Sequence, residues 1–83
     1  IIYDAHSLKE KRAVLQRIIS RLKQKFNISV AEVGYQDLWQ RSALAIVTVS
    51  SSRMATEREL QNALLFLDSF PEIERTITDI DWL

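Results

Sequence analysis

From Leu8 onward the apolar residues Leu8, Val14, Leu15, Ile18, Ile19, Leu22 and Phe26 return mostly at steps of three and four, the spacing of one stripe on a helix. Ser7 and Glu10 precede that stripe in the S-x-x-E arrangement, where hydroxyl and carboxylate satisfy orphan N–H groups, so the helix is predicted to start there and to end near Asn27. The pattern then changes. Ile28 to Tyr35 is rich in β-branched residues, with Val30 out of step with Ala31, Val33 and Tyr35, which predicts a strand with a bulge at Gly34. Gln36-Asp37 reads as the turn after it. Leu44 to Val49 is apolar or β-branched on both faces, the mark of a central strand, and Ser50 to Ser52 close it. A second capping box, Thr56 with Glu59, predicts a helix on Leu60, Ala63, Leu64, Leu67 and Phe70, stopped by Pro71. In the tail, Ile73 to Trp82, the residues Thr76, Thr78, Ile80 and Trp82 alternate with polar ones and predict a last strand.

Two helices on one face of a sheet also want a strand before the first helix, and Ile1-Ile2-Tyr3 reads as the end of one. The predicted fold is therefore α+β, a ferredoxin-like βαββαβ sandwich with antiparallel strand order 4-1-3-2. Its first strand is expected to be central yet is truncated to three residues: either residues upstream are missing or the sheet is defective at its centre. The sheet face without helices, carrying Leu44 and Ile46 or their neighbours, is apolar enough to make a homodimer through that face an expectation.

Composition narrows the classes. The 83 residues, 1–83, make one domain, and an apolar share of 47% supports a packed core. No cysteine is present, so neither a disulfide framework nor a thiolate metal site is expected, in keeping with a reducing compartment. The longest apolar runs, Ala43 to Val47 and Ala63 to Leu67, fall far short of the roughly 20 residues of a membrane-spanning helix. No membrane partner is expected, and no signal peptide is visible.

The zero net charge conceals an asymmetry. Residues 1–25 hold seven cations against Asp4 and Glu10, net +5, whereas residues 54–83 hold two cations against seven anions, net −5. On a helix, Lys9, Arg12 and Lys23 flank one side of the apolar stripe while Arg17, Arg21 and Lys25 line the other. Two readings stand. The cations are solvated or neutralised by the acidic second helix, or they form an anion-binding surface, RNA phosphates being the natural ligand. The candidate nucleic-acid contacts are Lys9, Lys11, Arg12, Arg17, Arg21 and Lys25, with Trp39 and Arg41 at the hairpin end. Strand "SALAIVTVS" has no aromatic on which bases would stack, so any RNA would meet the helix and loops rather than the sheet.

Catalysis has weak support. The predicted topology brings Asp4, His6, Ser7 and Lys9 towards Gln36, Asp37, Trp39 and Arg41, but caps and turns account for most of these residues. His6 is the sole imidazole and lacks the companions of a metal site. Ser7 is claimed by the cap, and the one glycine, Gly34, is not in the helix-entry loop where a phosphate cradle would need it. A non-enzymatic chain with no cofactor is expected.

The segments "HSLKEKR" and "FNISVAEVGYQDLWQRSALAIVTVSS" resemble the YlxP-like family, small bacterial proteins of unknown function with a ferredoxin-like fold. The match runs from about Ala5 to Ser52, through Ser7-Leu8-Lys9-Glu10-Lys11-Arg12, Val30-Ala31-Glu32 and Asp37-Leu38-Trp39-Gln40-Arg41; from Arg53 on only the order of elements agrees. The resemblance implies a fuller first strand before Ile1. It also implies a bacterial cytoplasmic setting beside transcription-elongation, translation-initiation and ribosome-maturation factors, hence an RNA or ribosomal particle as partner. It implies no catalytic residue.

Overall fold

A computed structural model describes residues 1–3 and 5–82 and orders them as α1 (Leu8–Lys25), β1 (Ser29–Gly34), β2 (Ala43–Val47) and α2 (Arg53–Asp68). At the start of α1 the Ser7 hydroxyl accepts the Glu10 N–H at 3.1 Å. The Glu10 carboxylate reaches back to the His6 N–H at 2.7 Å, one residue earlier than a standard capping box. The buried stripe is Lys11, Leu15, Ile18 and Leu22, and α1 ends at Phe26, whose backbone turns extended.

The two strands pair antiparallel from Ser29↔Val47 to Glu32↔Leu44, then slip between Glu32 and Gly34, which pairs with Ala43. The bulge falls where the sequence predicts it, and its cause is steric: a Cβ at Gly34 would lie 3.1 Å from the Ala43 Cβ. Tyr35 follows in the left-handed region at φ 57°, and the Leu38 N–H closes a turn onto Tyr35 O at 3.0 Å, around Gln36-Asp37.

Helix α2 starts earlier than its Thr56–Glu59 pair predicts. Ser52 is the cap, its hydroxyl accepting the Ala55 N–H at 3.3 Å, because it offers the first free oxygen ahead of the helical run. Glu59 serves a different purpose, accepting the Asn27 N–H at 2.9 Å and tying the end of α1 to α2. The main core joins Ile18 and Leu22 of α1, Val30 of β1, Ala63 and Leu67 of α2, and Phe70 just past the end of α2. Phe26, Phe66 and Phe70 stack edge to face beside it, with ring centroids 5.7 and 5.3 Å apart.

The fold is α+β with a two-stranded antiparallel sheet, and three expectations change with it. The tail is not a strand in the described residues: only Ile73 forms a β-bridge, to Ile2. Beyond it the chain is held by side chains, with Arg75 forked on Asp68 at 2.9 Å and reaching Thr78 at 2.8 Å, and Arg53 lying 4.5 Å over the Trp82 ring. Among the described residues β2 does not sit between two strands; only β1 pairs with it. The residues it turns away from the helices are Ala45 and Val47, while Ile46 packs on the core.

The start of the chain is gripped from two sides. Ile2 N–H bonds Gln40 O, Tyr3 N–H bonds Glu72 O, and Ile1 and Glu74 exchange backbone bonds, all at 2.8 Å. The Tyr3 hydroxyl donates to Glu74 Oε2 at 2.8 Å, and that bond, aided by partial desolvation and by the carboxylate's charge, raises its pKa above the ordinary 10.0. A raised folded pKa means a stabilising contribution present below the ordinary value and lost as pH climbs through the folded one.

Lys11 joins α1 to the hairpin. Its side chain is 1% exposed, its ammonium donates to Tyr35 O at 2.6 Å, and it pairs with Glu32 Oε2 at 2.9 Å. Glu32 in turn accepts the Ser42 hydroxyl at 2.7 Å, so the cation, the carboxylate and the carbonyl satisfy one another in the low-dielectric interior.

Two outcomes follow. In an NMR titration Tyr3 ionises later in the wild type than in Glu74→Ala, and identical curves would remove the hydroxyl bond. In urea unfolding Lys11→Ala lowers stability by about 3 kcal/mol, because it strands a carboxylate and a carbonyl. Exposed Lys9→Ala, the same loss of charge, changes stability by no more than about 0.5 kcal/mol, and equal effects would refute the buried clamp.

Candidate functional site

The seven α1 cations fall into three groups. Lys11 leaves the expected surface altogether: burial with Glu32 and Tyr35 O removes it from any phosphate-facing role. Its position on the apolar stripe, four before Leu15, is the reason.

Arg17, Arg21 and Lys25 are drawn onto the C-terminal end of α2. Arg17 forms an ion pair with Glu72, Arg21 sits 5.9 Å from the Phe70 ring centroid, and Lys25 sits 4.5 Å from that of Phe66. Cation–aromatic contact of this kind stabilises by about 0.5–1 kcal/mol at exposed sites. These three candidates thus have intramolecular work, much of it with aromatic rings rather than with the acidic side chains that the sequence pointed to.

Lys9, Arg12 and Lys23 remain on the opposite side of α1. All are exposed, and among the described residues they make no ion pair. Lys23 belongs with them although it is not among the candidate contacts; eleven residues past Arg12 is close to three full turns, so the spacing carries that signal.

The hairpin end lies against the same end of α1, as the Lys11 to Tyr35 and Ile2 to Gln40 bonds require. It presents Arg41 together with Trp39, 53% exposed, and Tyr35, 54% exposed. Tyr35 is not singled out by sequence reasoning: its exposure follows from the left-handed turn after Gly34, which carries the chain off the strand. A half-exposed aromatic ring is a surface on which a planar base or a guanidinium stacks.

The catalytic reading gains no geometry. His6 is exposed and its backbone N–H serves the Glu10 carboxylate, Ser7 is the cap, and Asp37 is an exposed turn residue. Asp4 lies outside the described residues. Among the described residues no cluster of three or more His, Cys, Asp or Glu side chains is arranged to hold a metal, and no helix is long and apolar enough to cross a membrane.

Comparison with known proteins bears on the whole chain. The model of a family described as "Protein of unknown function (DUF503)" matches residues 1–80. The uncharacterized protein YlxP of Bacillus subtilis (strain 168) is 66% identical over 82 residues, which is 99% of this chain and 89% of that protein. The resemblance of the first half to YlxP-like proteins therefore extends through α2 and the tail, and the chain belongs to the DUF503 family of YlxP-like proteins, a family of unknown function.

Proposed function

We propose that this protein is a non-enzymatic, cytoplasmic accessory module that binds RNA or a ribosomal particle. One observation carries the reading: the exposed cations Lys9, Arg12 and Lys23 share one side of α1 without an ion pair among the described residues, whereas those of the other side are engaged at the end of α2. Like charges along one helix face repel, so a face kept cationic without internal partners is suited to an anionic one. Arg41 and the rings of Trp39 and Tyr35 extend that face at the hairpin end, where a single-stranded or looped segment would stack. The setting implied by the resemblance agrees with it.

The test is binding of purified small ribosomal subunits and of structured RNA at low and physiological salt. Affinity should fall with a log–log slope of roughly −0.7 to −0.9 for each phosphate contact. A Lys9→Glu, Arg12→Glu, Lys23→Glu variant should lose binding while Arg17→Ala keeps most of it. Equal loss in both, or a flat salt response, would count against the proposed face.

A second reading, a homodimeric interaction module, is favoured by the face of the hairpin turned away from the helices. Val33 and Val47 are 61% and 58% exposed there, flanked by Ala31 and Ala45, with no charged side chain among the four. Sedimentation equilibrium should then give a dimer that Val33→Asp and Val47→Asp dissociate; a monomer at high concentration would remove this reading.

The finer architecture we propose is the ferredoxin-like order 4-1-3-2. The bonds that place Ile2 beside Gln40 on one side and Ile1 and Tyr3 beside Glu74 and Glu72 on the other support it.

A further inference from the structure

Lys9, Arg12, Gln16, Ser20 and Lys23 follow one another along α1 at steps of three and four, which sets them on one stripe of the helix. All five are exposed, and the chain holds no acidic residue between Glu10 and Glu32. The α1 side chains that form hydrogen bonds or ion pairs among the described residues are those of Glu10, Lys11 and Arg17, and none of these belongs to the stripe. The cations stand at its two ends, Lys9 and Arg12 at one and Lys23 at the other, about 16 Å beyond Arg12 along the axis; the neutral amide and hydroxyl of Gln16 and Ser20 fill the middle. An unbroken row of cations would follow one strand of phosphates. Cations at both ends of a neutral, hydrogen-bonding middle match two strands of phosphates with polar groups between them.

Of the nucleic acids, one offers that arrangement. A single strand is held by rings on which successive bases stack, and the stripe has none: the exposed rings of Tyr35 and Trp39 lie beyond the N-terminal end of α1. A B-form DNA duplex takes a helix into its wide major groove, where base edges are read, and its sugars carry no 2′-hydroxyl. An A-form RNA duplex closes its major groove to side chains and opens a wide, shallow minor groove that displays 2′-hydroxyls between the phosphates of its two strands. The Gln16 amide and the Ser20 hydroxyl can each donate and accept, as a 2′-hydroxyl does. Ala13, exposed beside the stripe, presents only a methyl group and lets the helix approach closely.

We infer that this stripe is a site for double-stranded RNA: α1 lies across the minor groove, with Lys9 and Arg12 on the phosphates of one strand, Lys23 on those of the other, and Gln16 and Ser20 on the 2′-hydroxyls between. The inference rests on the RNA reading and deepens it, naming the form of RNA and adding two uncharged residues to the cations. In this arrangement the cations supply affinity, which salt weakens, and the uncharged pair supplies the distinction of RNA from DNA.

The experiment follows fluorescence anisotropy at low salt as the 83-residue chain is added to three labelled probes: an RNA duplex of about 20 base pairs, the DNA duplex of the same sequence, and an unstructured oligouridine. The RNA duplex should bind about tenfold tighter than either of the others. Replacing the uncharged pair, Gln16→Ala with Ser20→Ala, should weaken the RNA duplex by about tenfold through the loss of two hydrogen bonds and leave the DNA duplex unchanged, so that the preference disappears. Gln24→Ala, which removes an exposed amide off the stripe, should change neither. Alanine at exposed helical positions keeps α1 intact. A DNA duplex or oligouridine bound as tightly as the RNA duplex would overturn the inference. So would a preference for the RNA duplex that the double variant retains, since the 2′-hydroxyls would then be read elsewhere. In either case, ribosomal-subunit binding that is lost in the Lys9→Glu, Arg12→Glu, Lys23→Glu variant would still uphold the broader RNA reading. Absence of binding to all three probes would also overturn the inference, and the ribosomal subunits alone would then decide the broader reading.

Discussion

The arrangement of helix and hairpin depends on one buried cation. Lys11 stands on the apolar stripe of α1, and its ammonium reaches Glu32 on β1 and the carbonyl of Tyr35 just past it. A buried ion pair adds little net stability by comparison with an apolar one, but it tolerates few alternative geometries, since each partner left alone in the interior is costly. Here that specificity falls where it matters. It fixes the rotation of α1 about its axis, and hence which cations face outward. It also fixes the strand end at Glu32, where the bulge at Gly34 and the left-handed Tyr35 redirect the chain into the hairpin turn.

The same clamp explains why the candidate surface was only half legible. Charge counting treats every lysine alike, and nothing in "HSLKEKR" separates Lys11 from Lys9 by residue type. Helical phase does separate them, because Lys11 is four before Leu15 whereas Lys9 is not on the stripe, but lysine is so seldom buried that residue type points outward against that phase. Local patterns served well where one short-range cause decided the outcome. The Ser7 cap, the bulge at Gly34 and the Gln36-Asp37 turn each follow from a few neighbouring residues. Thr56 and Glu59 failed because two caps competed, and the earlier serine won while a distant backbone N–H at Asn27 claimed the glutamate.

The tail strand and the central place of β2 failed for a different reason. The alternation in the tail and the two-sided apolar pattern of β2 describe surfaces, and a surface becomes a ladder only when a partner backbone lies beside it. Ile1, Ile2 and Tyr3 supply that partner to Gln40 on one side and to Glu72 and Glu74 on the other, and beyond Glu74 no backbone–backbone bond holds the tail among the described residues. The sequence pattern thus records the bonding the residues are suited to, and the described structure records the part of it that has been made.

The two sides of α1 differ in what they are given to bind. The end of α2 brings Phe66, Phe70 and Glu72 alongside only one of them, so Arg17, Arg21 and Lys25 bind inward partners while their counterparts across the helix have none among the described residues. A helix that needed its cations only for solubility would gain nothing from this inequality, since charges of mixed sign would hydrate as well without repelling one another. The unequal treatment of equal charges, more than their number, is what distinguishes the side of Lys9, Arg12 and Lys23 and motivates the proposed anionic partner. The hairpin that Lys11 holds in place presents the exposed rings of Trp39 and Tyr35 beyond the N-terminal end of α1.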